Sequence, residues 1–163
     1  MSGPYLDIYV LCPARSADAA RRFLDAWAPA RTLATAELAF PASAERPQLL
    51  SSVDELFDRL EAEPTASYLV YWRSGRADRV EHVMLAFTSD GGMIAGLGVA
   101  GVDQPRNSVL ALLADLATSV QGAFGYVTLE APPPMKQSEL VAECGQRELA
   151  WIDGAIDRSR IRH

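Results

Sequence analysis

The stretch from Ser67 to Val99, SYLVYWRSGRADRVEHVMLAFTSDGGMIAGLGV, restricts the fold more than any other. Three apolar runs separated by two turn-rich breaks read as an antiparallel meander. Tyr68 to Trp72 is apolar without interruption, which predicts a strand covered on both faces. His82 to Thr88 alternates instead, with Val83, Leu85 and Phe87 on one face and His82, Met84 and Thr88 on the other. Between the last two runs, Ser89-Asp90-Gly91-Gly92 supplies the positive-φ residues that a tight hairpin needs.

The segments on either side add strands and helices to this meander. Leu6, Ile8 and Val10 alternate with Asp7 and Tyr9, a first strand with one buried face. Ser16 is placed to cap a helix running to about Ala28, with Asp18 in its first turn and an apolar stripe of Ala20, Phe23, Leu24 and Trp27. Thr32 to Phe40 reads as a second strand and Pro41 to Pro47 as a loop. Ser52 and Glu55 form a capping box ahead of Val53, Leu56, Phe57 and Leu60, so a second helix runs to about Ala62.

After the meander, Gly101 to Arg106 is a turn and Asn107 or Ser108 is expected to cap a third helix ending near Val120 and Gly122. Gly125 to Glu130 is the last predicted strand. Pro132-Pro133-Pro134 then crosses the surface as polyproline II into a short helix from about Ser138 to Cys144. Arg147 to His163 is expected to hold a helical turn or two around Leu149 and Ile152, with a frayed end at Arg158, Arg160, Arg162 and His163. The reading is one globular domain over residues 1–163, with 146–163 as a C-terminal extension. Its class is α+β, a largely antiparallel sheet with a central three-strand meander and helices packed on it.

Composition narrows the function. A net charge of −6 over 163 residues argues against non-specific nucleic-acid binding, which needs clustered Lys and Arg. No apolar run reaches the length of a membrane span, and MSGPYLD lacks the basic-then-apolar start of a signal peptide, so a cytoplasmic location is expected. Cys12 and Cys144 make no metal-ligand spacing with each other or with His82 and His163; both are read as reduced thiols, and neither a metal nor a cofactor is expected.

Four features could carry chemistry. Gly96-Leu97-Gly98-Val99-Ala100-Gly101 matches G-x-G-x-x-G, but two of its glycines fall inside a strand, where no helix N-terminus can hold a pyrophosphate. Gly96 and Gly98 are read instead as room for a closely packed helix. Cys12, at a strand-to-helix junction, is a candidate nucleophile with Asp7 beside it, although a phosphatase-like loop would want an arginine where Asp18 stands. His82 reads as a sheet-surface residue. The fourth feature is the outer face of the second helix, where Asp54, Asp58 and Glu61 recur at helical spacing beside Glu55 and Glu63. Five acids stand there against Arg59 alone, an acidic surface suited to docking a basic protein.

The opening YLDIYVLCPARSADAARRFLDAW and the segment VMLAFTSDGGMIAGLGV resemble the small acidic immunity proteins that bacteria encode beside polymorphic or contact-dependent toxins. The resemblance spans the scaffold over about two-thirds of the chain. It implies a non-enzymatic protein that binds one toxin domain with a basic surface and blocks its action; such families share no catalytic residues. The contact residues expected here, Asp54, Asp58 and Glu61, come from the helix geometry. Two other classes stay open: a ligand-binding or regulatory domain using Tyr9, Tyr71 and Trp72, and a small enzyme built on Cys12. A homodimer through the meander edge is also left open.

Overall fold

A computed structural model describes residues 4–41, 44–76, 79–101 and 103–157. Strand β1 (Tyr5–Leu11) leads into α1 (Ala17–Trp27), then β2 (Thr32–Leu33), β3 (Leu38–Phe40) and β4 (Gln48–Leu50). Helix α2 (Val53–Ala62) precedes the meander β5 (Tyr68–Arg73), β6 (Val80–Phe87) and β7 (Met93–Ala100). The chain continues through α3 (Arg106–Val120), β8 (Phe124–Leu129), α4 (Gln137–Cys144), β9 (Ala150–Ile152) and β10 (Ala155–Ile156).

Eight strands form one sheet in the order β10-β9-β8-β1-β7-β6-β5-β2, and β3 and β4 make a separate hairpin. Every described pairing is antiparallel. The α+β class and the three-strand meander therefore stand as expected. β1 sits between β7 and β8, so its alternation sorts side chains onto two faces: Ile8, Val10 and Cys12 on the first, Asp7, Tyr9 and Leu11 on the second.

The first face carries the main core. Phe23 and Leu24 of α1, Leu56, Phe57 and Leu60 of α2, and Leu113 and Leu116 of α3 bury against Val83, Leu85, Phe87, Leu97 and Val99. Each such side chain, fully buried, contributes about 1.5–3 kcal/mol of hydrophobic stabilisation before the entropy of ordering it is counted. Arg15 ties this layer together. Its guanidinium donates to the carbonyls of Leu60 (3.0 and 3.1 Å), Glu63 (3.0 Å), Ala66 (2.7 Å) and Thr88 (2.9 Å), and stands 5.3 Å over the Phe87 ring. Leu60 and Glu63 belong to the last turn and end of α2, whose orphan carbonyls are thus satisfied by a cation that also complements the helix dipole.

On the second face the cover is partial. Helix α4, eight residues long, packs on β8 and β9 and buries Tyr9, Ile94, Tyr126 and Ala150 with its own Leu140 and Cys144. It is pinned to the β6–β7 turn, where both carboxylate oxygens of Asp90 accept the Gln137 N–H (2.9 and 3.0 Å).

Caps and turns follow the sequence at α1 and α2: the Ser16 and Ser52 hydroxyls accept the N–H groups of Ala19 (3.0 Å) and Glu55 (3.1 Å). Elsewhere the structure corrects the expectation. Thr32 to Phe40 splits between two sheets, because the chain leaves β5 at a turn where the Thr35 hydroxyl bonds the Glu37 carbonyl (3.1 Å). Helix α3 starts at Pro105, not at an Asn107 or Ser108 cap, since proline loses nothing at a helix start and its carbonyl takes the first N–H groups. The left-handed residue that closes α3 is Gln121 (φ 58°), not Gly122. The segment around Leu149 and Ile152 leads into a strand, not a helical turn: Asp153 (φ 53°) and Gly154 (φ 81°) form the turn of a β9–β10 hairpin. Arg158, Arg160, Arg162 and His163 lie outside the described residues.

The strand expected to be covered on both faces is fully covered on one and only partly on the other, where Leu69 packs on the smaller cluster. Tyr68, Val70 and Trp72 are buried on the first face, while Tyr71 on the second is 39% exposed. Gly96 and Gly98 do not receive a helix either. A Cβ at Gly96 would lie 2.4 Å from Met84 Cγ and 3.1 Å from the Tyr9 ring, so that glycine makes room for cross-strand side chains.

Candidate functional site

Where α4 stops, no helix among the described residues covers the second face toward the Tyr5 end of β1, and a cleft of about 480 Å³ opens there. Alternation along four adjacent strands builds it. β1 supplies Tyr5 and Asp7, β7 supplies Gly98, β6 supplies His82 and Met84, and β5 supplies Tyr71. Glu130, just past β8, and Ala34, just past β2, close two sides.

The floor is open because Gly98 has no side chain; a Cβ there would lie 3.3 Å from His82 Cβ. Along the wall, the Tyr5 and His82 rings meet edge to face with centroids 5.5 Å apart, and the Tyr5 hydroxyl donates to Glu81 (2.8 Å). Glu130 adopts a left-handed backbone (φ 44°), an uncommon conformation for a residue with a side chain. Its carboxylate accepts the Tyr5 N–H (3.2 Å), and its own N–H donates to the Tyr5 carbonyl (3.2 Å).

Asp7 is the acid at the centre. It is half-buried, and one carboxylate oxygen accepts the Ala131 N–H (3.2 Å). Burial pushes its carboxyl up to about 6; the Ala131 N–H opposes that rise and the neighbouring Glu130 charge adds to it. The same environment raises the Tyr71 phenol, first through burial and then through the Asp7 charge. Tyr9, one pleat further along, is buried with its hydroxyl donating to the Ala131 carbonyl, and burial raises it too, so it stays a neutral donor.

Among the described residues the lining therefore holds two carboxylates, two tyrosines and a histidine, with no lysine or arginine. Arg73 shares this face and pairs in register with His82, but it does not line the cleft. Among the described residues the lining also holds no serine, threonine or cysteine that could serve as a nucleophile. What this arrangement can do is receive a cationic, partly flat group, since carboxylates hold its charge and tyrosine faces its plane.

The residues singled out from sequence are distributed differently. Asp54 and Asp58 are exposed on α2, and Arg21 of α1 approaches both, Nε to Asp54 at 2.8 Å and Nη2 to Asp58 at 3.6 Å. Glu61, also exposed, accepts the Ala17 N–H (3.0 Å), so it serves the first turn of α1. These acids stand on the first-face side of the sheet, opposite the cleft. Cys12 and Asp7 also face opposite sides of β1, and burial pushes the Cys12 thiol up to about 12, away from a reactive thiolate. Of the aromatic trio, Tyr71 lines the cleft, Tyr9 lies beneath its edge, and Trp72 packs on Phe57 on the other face with centroids 6.2 Å apart.

No protein-family model, curated protein or solved structure matches this chain. Its function has to be read from the chemistry of its own surfaces. Among the described residues no helix is long and apolar enough to cross a membrane, and no cluster of three His, Cys, Asp or Glu side chains is placed to hold a metal ion.

Proposed function

We propose that this chain is a non-enzymatic binding protein that docks a basic protein partner at the bare end of its sheet, as an immunity protein does when it neutralises a toxin. The observation that carries the reading is the cleft, an acidic and aromatic concavity with Asp7 held half-buried and, among the described residues, no lysine or arginine lining it. Asp54 and Asp58 offer a second acidic surface, but Arg21 offsets part of its charge.

Growth rescue tests the proposal. The chain is co-expressed with the product of the gene adjacent to its own, and rescue with a stable complex on size exclusion is the expected result. Asp7→Asn should weaken the complex, while Asp54→Lys with Asp58→Lys should change only the association rate at low salt. A complex lost through the α2 pair and indifferent to Asp7 would move the interface to α2. A toxic product that the chain does not rescue would overturn the reading.

A second reading is a small-ligand-binding domain, and it is favoured by the cleft's volume of about 480 Å³, within the range of small-molecule sites. Thermal stabilisation by members of a cationic metabolite panel would distinguish it.

A further inference from the structure

The second face already holds one guanidinium. Arg147 stands 5.2 Å over the Tyr126 ring, with Nε on the Glu143 carboxylate (2.8 Å) and Nη1 on the Thr128 hydroxyl (3.0 Å). Thr128 pairs in register with Asp7, so this slot and the cleft are neighbours on one surface. The cleft repeats its components, tyrosine faces beside carboxylates, and no basic residue among the described ones occupies it. Asp7 has given one oxygen to the Ala131 N–H, leaving the other with no protein donor among the described residues.

We propose that the cleft receives a single guanidinium group, carried on an arginine side chain of the protein partner, with Asp7 and Glu130 accepting its N–H groups and Tyr71 flanking its plane. The assignment rests on the protein-binding reading above. Guanidinium fits better than ammonium because it is planar, presents five donors in a fixed fork and stacks on aromatic rings, whereas an ammonium is a compact, strongly hydrated point charge. Gly98 provides the depth, since any side chain there would fill the floor beside His82.

The test is an NMR titration of the full chain with Nα-acetyl-arginine-methylamide, using the citrulline and lysine analogues and free L-arginine as comparisons. The arginine derivative should shift the amides of Gly98, His82 and Tyr71 saturably, the lysine analogue should bind more weakly, and citrulline, neutral and nearly isosteric, should leave those amides in place. Asp7→Asn should weaken binding by about tenfold to a hundredfold, the loss expected for one charge-assisted hydrogen bond. Gly98→Val should abolish it through an independent change to the floor. Equal shifts from arginine and citrulline, or affinity unchanged in Asp7→Asn, would overturn the assignment. Free L-arginine binding more than about tenfold tighter than the blocked derivative would place the guanidinium on a metabolite instead of a partner, because only then are the free α-amino and α-carboxyl groups recognised. If the blocked arginine fails while growth rescue succeeds, the guanidinium site is refuted and protein binding survives; binding without rescue keeps the site and removes the immunity reading.

Discussion

Replacing Asp7 by asparagine should make this protein more stable at neutral pH. The carboxyl sits at about 6 in the folded chain against an ordinary value of 3.8. A carboxyl raised by folding binds its proton more tightly in the native state than in the unfolded one, so native stability is greatest below the ordinary value and falls as pH climbs through about 6. A shift of about two units corresponds to about 3 kcal/mol at most. Asp7 is only half-buried, and solvent screening reduces that to about 1.5 kcal/mol. Asparagine keeps an oxygen for the Ala131 N–H (3.2 Å) and drops the charge.

Urea denaturation of the two proteins from pH 4 to pH 8, followed by tryptophan fluorescence, checks this directly. Asp7→Asn should exceed the parent by about 1.5 kcal/mol at pH 8, equivalent to about 3–6 °C in Tm, and the two curves should converge near pH 4. The other ionisable or charged groups around this face are Glu130, Glu81, His82, Tyr5, Tyr9, Tyr71, Arg73 and Arg147. Taking the difference between the two proteins removes whatever these groups contribute equally to both. An asparagine variant less stable at pH 8, or a difference that does not vary with pH, would refute the reasoning. The same ionisation governs the cleft, so affinity for a guanidinium should fall as pH drops through about 6.

Other perturbations probe the scaffold. Arg15→Lys should lower stability by about 2 kcal/mol, because an ammonium cannot reach the carbonyls of Leu60, Glu63, Ala66 and Thr88 together; the urea midpoint reads it. Asp90→Ala should remove about 1 kcal/mol and speed amide exchange in α4, whose first N–H it holds. The Gln137 N–H depresses the Asp90 carboxyl, so its contribution is present above the ordinary carboxylate range and fades as pH falls below it, where parent and variant should converge. Cys12 and Cys144, with thiols pushed up to about 12 and about 11 by burial, should resist iodoacetamide at pH 8 in the native protein and react once urea unfolds it.

What sequence could show here was local order. The meander, the Ser16 and Ser52 caps, the stripes of α1 and α2 and the short helix α4 all follow from periodicity and capping chemistry within a few residues. The β9–β10 hairpin had such a signal as well, since Asp153-Gly154 between Trp151-Ile152 and Ala155-Ile156 is a two-residue turn flanked by strand formers. Tertiary claims on polar groups were not visible. Helix geometry puts Asp54, Asp58 and Glu61 on one stripe, but nothing in α2 shows that Arg21 and the Ala17 N–H of α1 meet them. Alternation likewise assigns Asp7, His82 and Tyr71 to one face of the sheet without showing which end of that face α4 leaves bare.

That unequal cover is the argument for a site. A sheet end exposed for no reason but shortage of helix would be expected to carry hydrated, well-separated polar side chains and good strand formers. This end instead keeps a glycine in a central strand at Gly98, a glutamate in a left-handed turn at Glu130, and a half-buried carboxyl at Asp7. Each is locally unfavourable: glycine is a weak strand residue, glutamate at a positive φ is strained where glycine is not, and a half-buried carboxylate is less stable than asparagine. The first face is packed without their help, and the one backbone N–H that each carboxylate accepts, Ala131 for Asp7 and Tyr5 for Glu130, does not require a carboxylate at either position. Three locally unfavourable choices converging on one concavity are the pattern expected where binding, not folding, sets the residues.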